Sequence, residues 1–118
     1  MTLEEMRRAL DAEVIVGSGL ERIEVGTVCG ADLMSDVLAF AKTGALLLTG
    51  LTTTQVVRTA EMADIAAICF VRGKRPPEET VQLAASKGLP LFRTQLPMYE
   101  SCGRLYSRGL KGCSEESQ

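Results

Sequence analysis

The chain has 118 residues, of which 46% are hydrophobic, and its 13 basic and 15 acidic side chains give a net charge of −2. This length and composition predict one globular domain with a core of its own. The charge excludes the basic footprint of a general nucleic-acid binder, and with no Trp and 4% aromatics we expect no base-stacking platform. The apolar runs are far shorter than the ~20 residues of a membrane helix, so we expect a cytoplasmic protein without a membrane partner.

The cysteines and the absence of histidine limit the chemistry that the chain can perform. None of Cys29, Cys69, Cys102 and Cys113 forms a C-x-x-C pair, which disfavours a metal centre. We interpret Cys69 and Cys102 as small core residues. Without histidine there is no Ser-His-Asp or Cys-His nucleophile system. We therefore predict no catalytic residue, no metal and no cofactor.

The predicted elements begin with a helix and then alternate with strands. Thr2 and Glu5 have capping-box spacing and start a helix over about 2–12. Ile23 and Val25 begin a second strand, after a first strand at 13–17. The later elements are a helix capped by Asp32, a strand at 45–48, a helix at 53–63, a strand at 65–71, a helix at 77–87, a strand at 90–92 and a helix at 98–108.

This alternation of helix and strand predicts the fold class. Short connections and continuous apolar strands are typical of a mostly parallel sheet with helices on its faces, an α/β fold. We expect a single α/β domain over 1–110 and a polar tail over 111–118. In the helix after Asp32, helical spacing predicts that Leu33, Val37, Phe40 and Ala41 are buried together.

Polar segments follow three of the predicted strands. Because parallel strands end at the same edge of a sheet, we expect these segments to lie together and to offer cations, hydroxyls and helix amino ends to an anion. The candidate ligand-binding residues are Thr49, Gly50, Thr52, Thr53, Arg72, Lys74 and Arg93.

A purely structural interpretation stays open for each of these residues. Thr52 and Gln55 have the spacing of a capping box, which needs no ligand. The cations of the basic loop at 72–75 are then solvated charges, and Arg58 pairs with Glu61 or Asp64 on its helix.

Four segments together resemble one family: "DLMSDVLA", "TGLTTTQVVRTAEM", "VRGKRPPEE" and "CGRLY". The chain is similar over about 13–110 to the DRTGG-domain proteins, particularly the short stand-alone members of anaerobic bacteria, although the literal motif D-R-T-G-G is absent. The resemblance implies a MurF-like α/β domain similar to the amino-terminal domain of HPr kinase/phosphorylase. Related domains in phosphotransacetylases and CBS-domain pyrophosphatases are regulatory or dimerising modules.

Three functions remain in view. We expect a non-catalytic regulatory or accessory module that senses a small anionic, nucleotide-like ligand as a homodimer. The alternative is a protein-interaction domain that docks on a redox enzyme complex such as a hydrogenase, because stand-alone relatives are associated with redox genes. A phosphoryl-transfer enzyme is least favoured, since the sequence lacks both a Walker loop and histidine.

Overall fold

A six-stranded sheet and five α-helices make up the computed structural model, which describes residues 1–113. The helices are α1 (Leu3–Ala9), α2 (Met34–Phe40), α3 (Thr54–Met62), α4 (Glu78–Lys87) and α5 (Met98–Ser107). The strands are β1 (Glu13–Val16), β2 (Thr27–Gly30), β3 (Leu46–Thr49), β4 (Ala67–Phe70), β5 (Leu91–Arg93) and β6 (Lys111–Gly112). The predicted α/β class with a mostly parallel sheet is confirmed.

The strand order is β1-β5-β4-β3-β2-β6. Every neighbouring pair is parallel except β1 and β5, which are antiparallel. The loops that follow β2, β3, β4 and β5 therefore leave the sheet at one edge, which we name the carboxyl edge. The sheet topology thus places four loops at one edge of the sheet.

The apolar runs of β3 and β4 are buried on both faces of the sheet. Leu46 and Leu48 face α1 and α5, whereas Leu47 and Ile68 face the side of α2, α3 and α4. Each fully buried side chain of this size contributes about 1.5–3 kcal/mol to the free energy of unfolding. The helices on both faces therefore hold the carboxyl edge on a rigid base.

The predicted capping box at the start of α1 is confirmed. The Glu5 amide donates to Thr2 Oγ1 at 3.1 Å, and the Thr2 amide donates to Glu5 Oε1 at 2.9 Å. One turn of helix also brings Glu4 beside Arg7 and Arg8, and the hydrogen bond from Arg7 lowers the pKa of Glu4 to about 2. Local spacing alone accounts for this helix start.

The second strand begins later than the sequence predicted. A 3-10 helix at Leu20–Arg22 comes first, and the strand itself starts at Thr27. The segment between them pairs with the amino terminus: the Leu3 amide donates to the Ile23 carbonyl and the Val25 amide to the Met1 carbonyl, both at 2.8 Å. The apolar residues of this segment thus cover α1 instead of extending the sheet.

The predicted apolar stripe of α2 is wrong at two positions. Val37 is fully buried, but Leu33 is 60% exposed and Phe40 is 63% exposed. Leu33 precedes the helix and has an extended backbone, so the helical spacing does not apply to it, and Phe40 is the last residue of the helix. The helix is too short to carry the predicted stripe.

The predicted polar tail is wrong at its first two residues. Lys111 pairs with Thr27, and Gly112 pairs with Val28, so both belong to the parallel edge strand β6. Cys113 follows in a turn, and the remainder of the predicted tail, at 114–118, lies outside the described residues.

Candidate functional site

Backbone hydrogen bonds join the loops after β3, β4 and β5 at the carboxyl edge. The Val71 amide donates to the Thr49 carbonyl at 3.0 Å, and the Gly73 amide donates to the Thr94 carbonyl at 2.8 Å. The prediction that these three polar segments lie together is confirmed. The loop after β2 joins them, because the Asp32 carboxylate bonds to the loop after β3.

A cleft of about 520 Å³ lies between these loops and the start of α5. Its polar and glycine lining comes from three loops, and Met98 closes it from the helix side. The residues that matter for its chemistry are Gly30, Asp32, Gly50, Arg72, Lys74 and Met98.

Arg72 has an unusual backbone conformation beside this cleft. Its φ is 59° and that of the next residue, Gly73, is 66°, so two consecutive residues are left-handed. For a residue with a Cβ this conformation costs roughly 1–2 kcal/mol. The Arg72 amide donates to the Leu96 carbonyl at 2.9 Å, which holds the loop in place. Arg72 lines the cleft and is exposed.

Lys74 is the second cation of the cleft. Among residues 1–113, neither Lys74 nor Arg72 forms an ion pair. The start of α5 adds partial positive charge, because its N-cap residue Pro97 makes no side-chain hydrogen bond to the first backbone amides. The cations and this helix end favour a negatively charged group in the cleft.

Asp32 has a different role from the one that its position in the sequence predicted. The residue that precedes α2 directly is Leu33, and no side chain caps that helix. The Asp32 Oδ1 atom instead accepts hydrogen bonds from the Gly50 amide at 2.8 Å and from Thr49 Oγ1 at 3.0 Å. Thr49 is fully buried, so its hydroxyl needs this acceptor. The helix-cap prediction for Asp32 is wrong, and sequence reasoning missed it as a cleft residue.

The threonine run after β3 lies outside the cleft. The predicted Thr52–Gln55 capping box is wrong, because α3 begins one residue later with Thr53 as N-cap and without a side-chain capping bond. The Thr52 carbonyl accepts a hydrogen bond from Thr80 Oγ1 at 2.8 Å, which ties the start of α3 to α4. Thr52 thus connects two helices, Thr53 is the N-cap of α3, and neither residue lines the cleft.

Arg93 also points away from the cleft. It donates to Glu13 at 2.9 Å, and Arg75 shares the same carboxylate at 3.4 Å. The predicted ion pair of Arg58 with Glu61 or Asp64 is absent from the described residues, where Glu61 pairs with Lys87 at 3.2 Å. Of the seven predicted residues, the cleft thus brings together Gly50, Arg72 and Lys74, with Thr49 behind Asp32.

Two glycines shape the cleft through the space that they leave. A Cβ on Gly30 would lie 3.0 Å from Cys102 Sγ and 3.2 Å from Met98 Sδ, so the glycine allows α5 to pack closely on β2. A Cβ on Gly50 would lie 3.7 Å from Asp32 Oδ1 and 3.9 Å from Lys74 Cδ, which are ordinary contact distances. Gly50 therefore leaves open the space between a carboxylate and a cation.

All four cysteines are free thiols. Cys69 is fully buried in the core as predicted, and burial raises its pKa to about 12. Cys102, which was also predicted to be a core residue, is only partly buried. For Cys29, burial raises the pKa to about 11. Within the described residues no group of three side chains is placed to hold a metal ion.

The fold and the cleft define an α/β domain with a cation-lined cleft outside the carboxyl ends of parallel strands, the usual ligand position in such sheets. The chain belongs to the DRTGG-domain family, whose model matches residues 5–107. The resemblance carried by its sequence segments is thereby confirmed. No curated protein matches the chain.

One solved structure with the same fold is a crystal structure of the CBS and DRTGG domains of the regulatory region of Clostridium perfringens pyrophosphatase, complexed with the activator diadenosine tetraphosphate. The TM-score is 0.71 at 18% sequence identity, and the match covers 93% of this chain and 47% of that chain. The chain thus spans about half the length of that protein, and the likeness shows a shared fold. In the part of this chain that the structure describes, no helix has the length and apolarity to cross a membrane.

Proposed function

We propose that this chain is a non-catalytic regulatory module of the cytoplasm that senses a small anionic, nucleotide-like ligand at the carboxyl edge. The observation that carries the proposal is the left-handed Arg72 beside Lys74, two cations that pair with no described acid. Strained residues cluster at ligand sites because the surrounding structure must hold them there. The regulatory region of the structural neighbour, which was crystallised with a nucleotide activator, supports the same class of function.

In this proposal Arg72 and Lys74 bind the anionic group, and the Gly50 backbone lets it approach. Thr49 acts indirectly, by holding Asp32. Thr52, Thr53 and Arg93 make their contacts elsewhere and are not assigned to the ligand.

Isothermal titration with AMP, ADP, ATP and diadenosine tetraphosphate tests the proposal. We expect at least one of them to bind, and the double variant Arg72→Ala/Lys74→Ala to weaken that binding at least about tenfold, because hydrogen bonds to charged groups are each worth roughly 1.5–3 kcal/mol before solvent screening. The matched control Arg58→Ala/Arg75→Ala removes the same charge outside the cleft and should change the dissociation constant less than about threefold.

A steric variant separates the cleft from its charge. Gly50→Ala keeps every charged group, and its added methyl group meets its neighbours at 3.7 Å or more, so the fold tolerates it. It fills the space between Asp32 and Lys74, and we expect weaker binding of every nucleotide that binds the natural chain. Absence of heat with all four nucleotides, or equal losses in the cleft and control variants, would contradict the proposal.

The homodimer is a separate part of the proposal and rests on the family resemblance. Light scattering at high protein concentration should give twice the mass of one chain, and a monomer at all concentrations would remove this part.

The second candidate, docking on a redox enzyme such as a hydrogenase, is favoured by an exposed surface on α5. Tyr99 is 88% exposed and Tyr106 is 65% exposed, one on each side of Gly103. Exposed aromatic side chains of this kind are typical of protein interfaces. Biolayer interferometry with a purified hydrogenase should then show binding that Tyr99→Ala/Tyr106→Ala abolishes and that nucleotide leaves unchanged.

A further inference from the structure

A carboxylate and a lysine approach the same open space in the cleft without pairing. The position of a Cβ on Gly50 is 3.7 Å from Asp32 Oδ1, 3.8 Å from Asp32 Oδ2 and 3.9 Å from Lys74 Cδ. Yet no ion pair joins Asp32 to Lys74 or Arg72 within the described chain. A ligand with only anionic groups would place one of them beside the Asp32 carboxylate, which repels it. The cleft therefore favours a ligand that carries an anionic group for the cations and a hydrogen-bond donor for the carboxylate.

The carboxylate has one oxygen that is used and one that is available. Oδ1 accepts two hydrogen bonds, from the Gly50 amide and the Thr49 hydroxyl. Among residues 1–113 no donor bonds to Oδ2, and the residue is exposed. An ionised carboxylate accepts only, so the group that meets Oδ2 must be a donor such as a hydroxyl. A phosphate oxygen at neutral pH is an acceptor and cannot fill this position.

We infer that Asp32 accepts hydrogen bonds from the ribose hydroxyls of a nucleotide whose phosphates contact Arg72 and Lys74. The inference rests on the proposed function and names the ligand class more closely: a vicinal diol beside an anionic group. Acidic side chains bind ribose in this way at the edges of other parallel α/β sheets. Asp32 is then a specificity residue, because it selects ribonucleotides over anions that lack the diol.

The experiment compares ATP with 2′,3′-dideoxy-ATP by isothermal titration in EDTA, using the natural chain and Asp32→Asn. Asparagine keeps an Oδ1 acceptor for Gly50 and Thr49, so the loop contacts survive, but its nitrogen replaces the free acceptor. The natural chain should bind ATP at least about tenfold more tightly than the dideoxy analogue. In Asp32→Asn this ratio should fall to about one to threefold, mainly through weaker ATP binding.

A matched control is Asp36→Asn, which removes an exposed acid from the same segment outside this cleft. It should keep the full preference for ATP. Thermal unfolding of all variants should give midpoints within a few degrees of one another, which excludes a folding defect as the cause.

The outcomes distinguish this inference from the proposed function. Equal affinity of the natural chain for ATP and its dideoxy analogue overturns the inference and leaves the anion site in place. Binding of neither nucleotide overturns the inference, and it overturns the proposed function as well if AMP, ADP and diadenosine tetraphosphate also give no heat. Tighter binding of both nucleotides to Asp32→Asn, with no discrimination, would show that the carboxylate only repels phosphate and would also overturn it. A further titration with Mg²⁺ tests whether Asp32 binds a metal ion instead. Nucleotide binding that needs both Mg²⁺ and Asp32 but is the same for ATP and its dideoxy analogue would overturn the inference.

Discussion

Replacing Arg72 with glycine and with alanine should separate the strain of this residue from its charge. Both substitutions remove the guanidinium group, and both keep the backbone hydrogen bond from position 72 to the Leu96 carbonyl. They differ in the backbone, because φ at this position is 59°. Alanine retains the steric cost of the left-handed conformation, and glycine removes it.

The expected difference follows from two opposing contributions. A left-handed residue with a Cβ costs roughly 1–2 kcal/mol. Glycine avoids this cost, but it lowers the free energy of unfolding by about 0.5–1 kcal/mol because it gives the unfolded chain more conformational freedom. Arg72→Gly should therefore exceed Arg72→Ala in free energy of unfolding by about 0.5–1 kcal/mol, or about 2–4 °C in Tm for a chain of this size.

Urea unfolding followed by circular dichroism measures this difference. The control pair is Lys74→Gly and Lys74→Ala, since the backbone of Lys74 is not left-handed. There alanine should be the more stable variant, by about 0.4–1 kcal/mol. If Arg72→Ala proves as stable as Arg72→Gly, the backbone at Arg72 is not strained, and the strain no longer points to a ligand site.

Three further predictions concern the parts that support the cleft. The buried Thr94 hydroxyl donates to the Leu10 carbonyl at 2.6 Å, so Thr94→Val should lower the free energy of unfolding by about 1–3 kcal/mol in urea. The arginine partners of Glu4 lower its pKa from 4.5 to about 2. The ionised carboxylate therefore stabilises the folded chain fully above pH 4.5, and this stabilisation is lost as the pH falls toward 2. Glu4→Gln should make Tm depend less on pH over this range. Gly30→Val should displace α5, lower stability by about 1–3 kcal/mol and weaken nucleotide binding, because an added Cβ meets a sulfur atom of α5 at 3.0 Å.

Each of these has a control and a contrary outcome. Thr43→Val removes an exposed hydroxyl outside the helices and strands and should cost less than about 0.5 kcal/mol; an equal loss there would contradict the role of the Thr94 bond. Glu21→Gln, in the 3-10 helix, should leave the Tm profile of the natural chain intact, and a Glu4→Gln profile as steep as that of the natural chain would contradict the ion-pair account. Gly103→Val adds a side chain to α5 where the Cβ meets nothing within 4 Å, and it should leave nucleotide binding unchanged.

Local and long-range contacts explain what the sequence could predict of the fold. The apolar runs in β3 and β4 predicted buried parallel strands, because strands that are covered on both faces are typically apolar throughout. The Thr2–Glu5 capping box was also predictable, since both partners lie within one turn. Thr52 and Gln55 have the same spacing, but a hydroxyl from Thr80, 28 residues away, holds the Thr52 carbonyl and the helix starts one residue later.

The distinction between local and long-range contacts also explains what the sequence could predict of the cleft. The rule that parallel strands end at one edge was enough to find Gly50, Arg72 and Lys74. It also offered a signal for Asp32, which follows the end of β2 by two residues, but its position before a helix suggested a cap. The competing partner, the buried hydroxyl of Thr49, is 17 residues away and becomes visible only when β2 and β3 pair. The left-handed backbone of Arg72 likewise depends on carbonyls of the loop after β5.

The most direct test of the anion-binding cleft is a nuclear magnetic resonance titration of the ¹⁵N-labelled chain with AMP, ADP, ATP and diadenosine tetraphosphate in turn. Glycine amides resolve well and sample both regions of interest: Gly30 and Gly50 line the cleft, Gly88 and Gly109 lie away from it, and Gly103 marks the exposed face of α5. The account predicts saturable shifts at Gly30 and Gly50 with at least one nucleotide, and little change at the other three glycines. In Arg72→Ala/Lys74→Ala these shifts should need at least about tenfold more nucleotide. No shifts at saturating nucleotide, or shifts centred on Gly103, would contradict it.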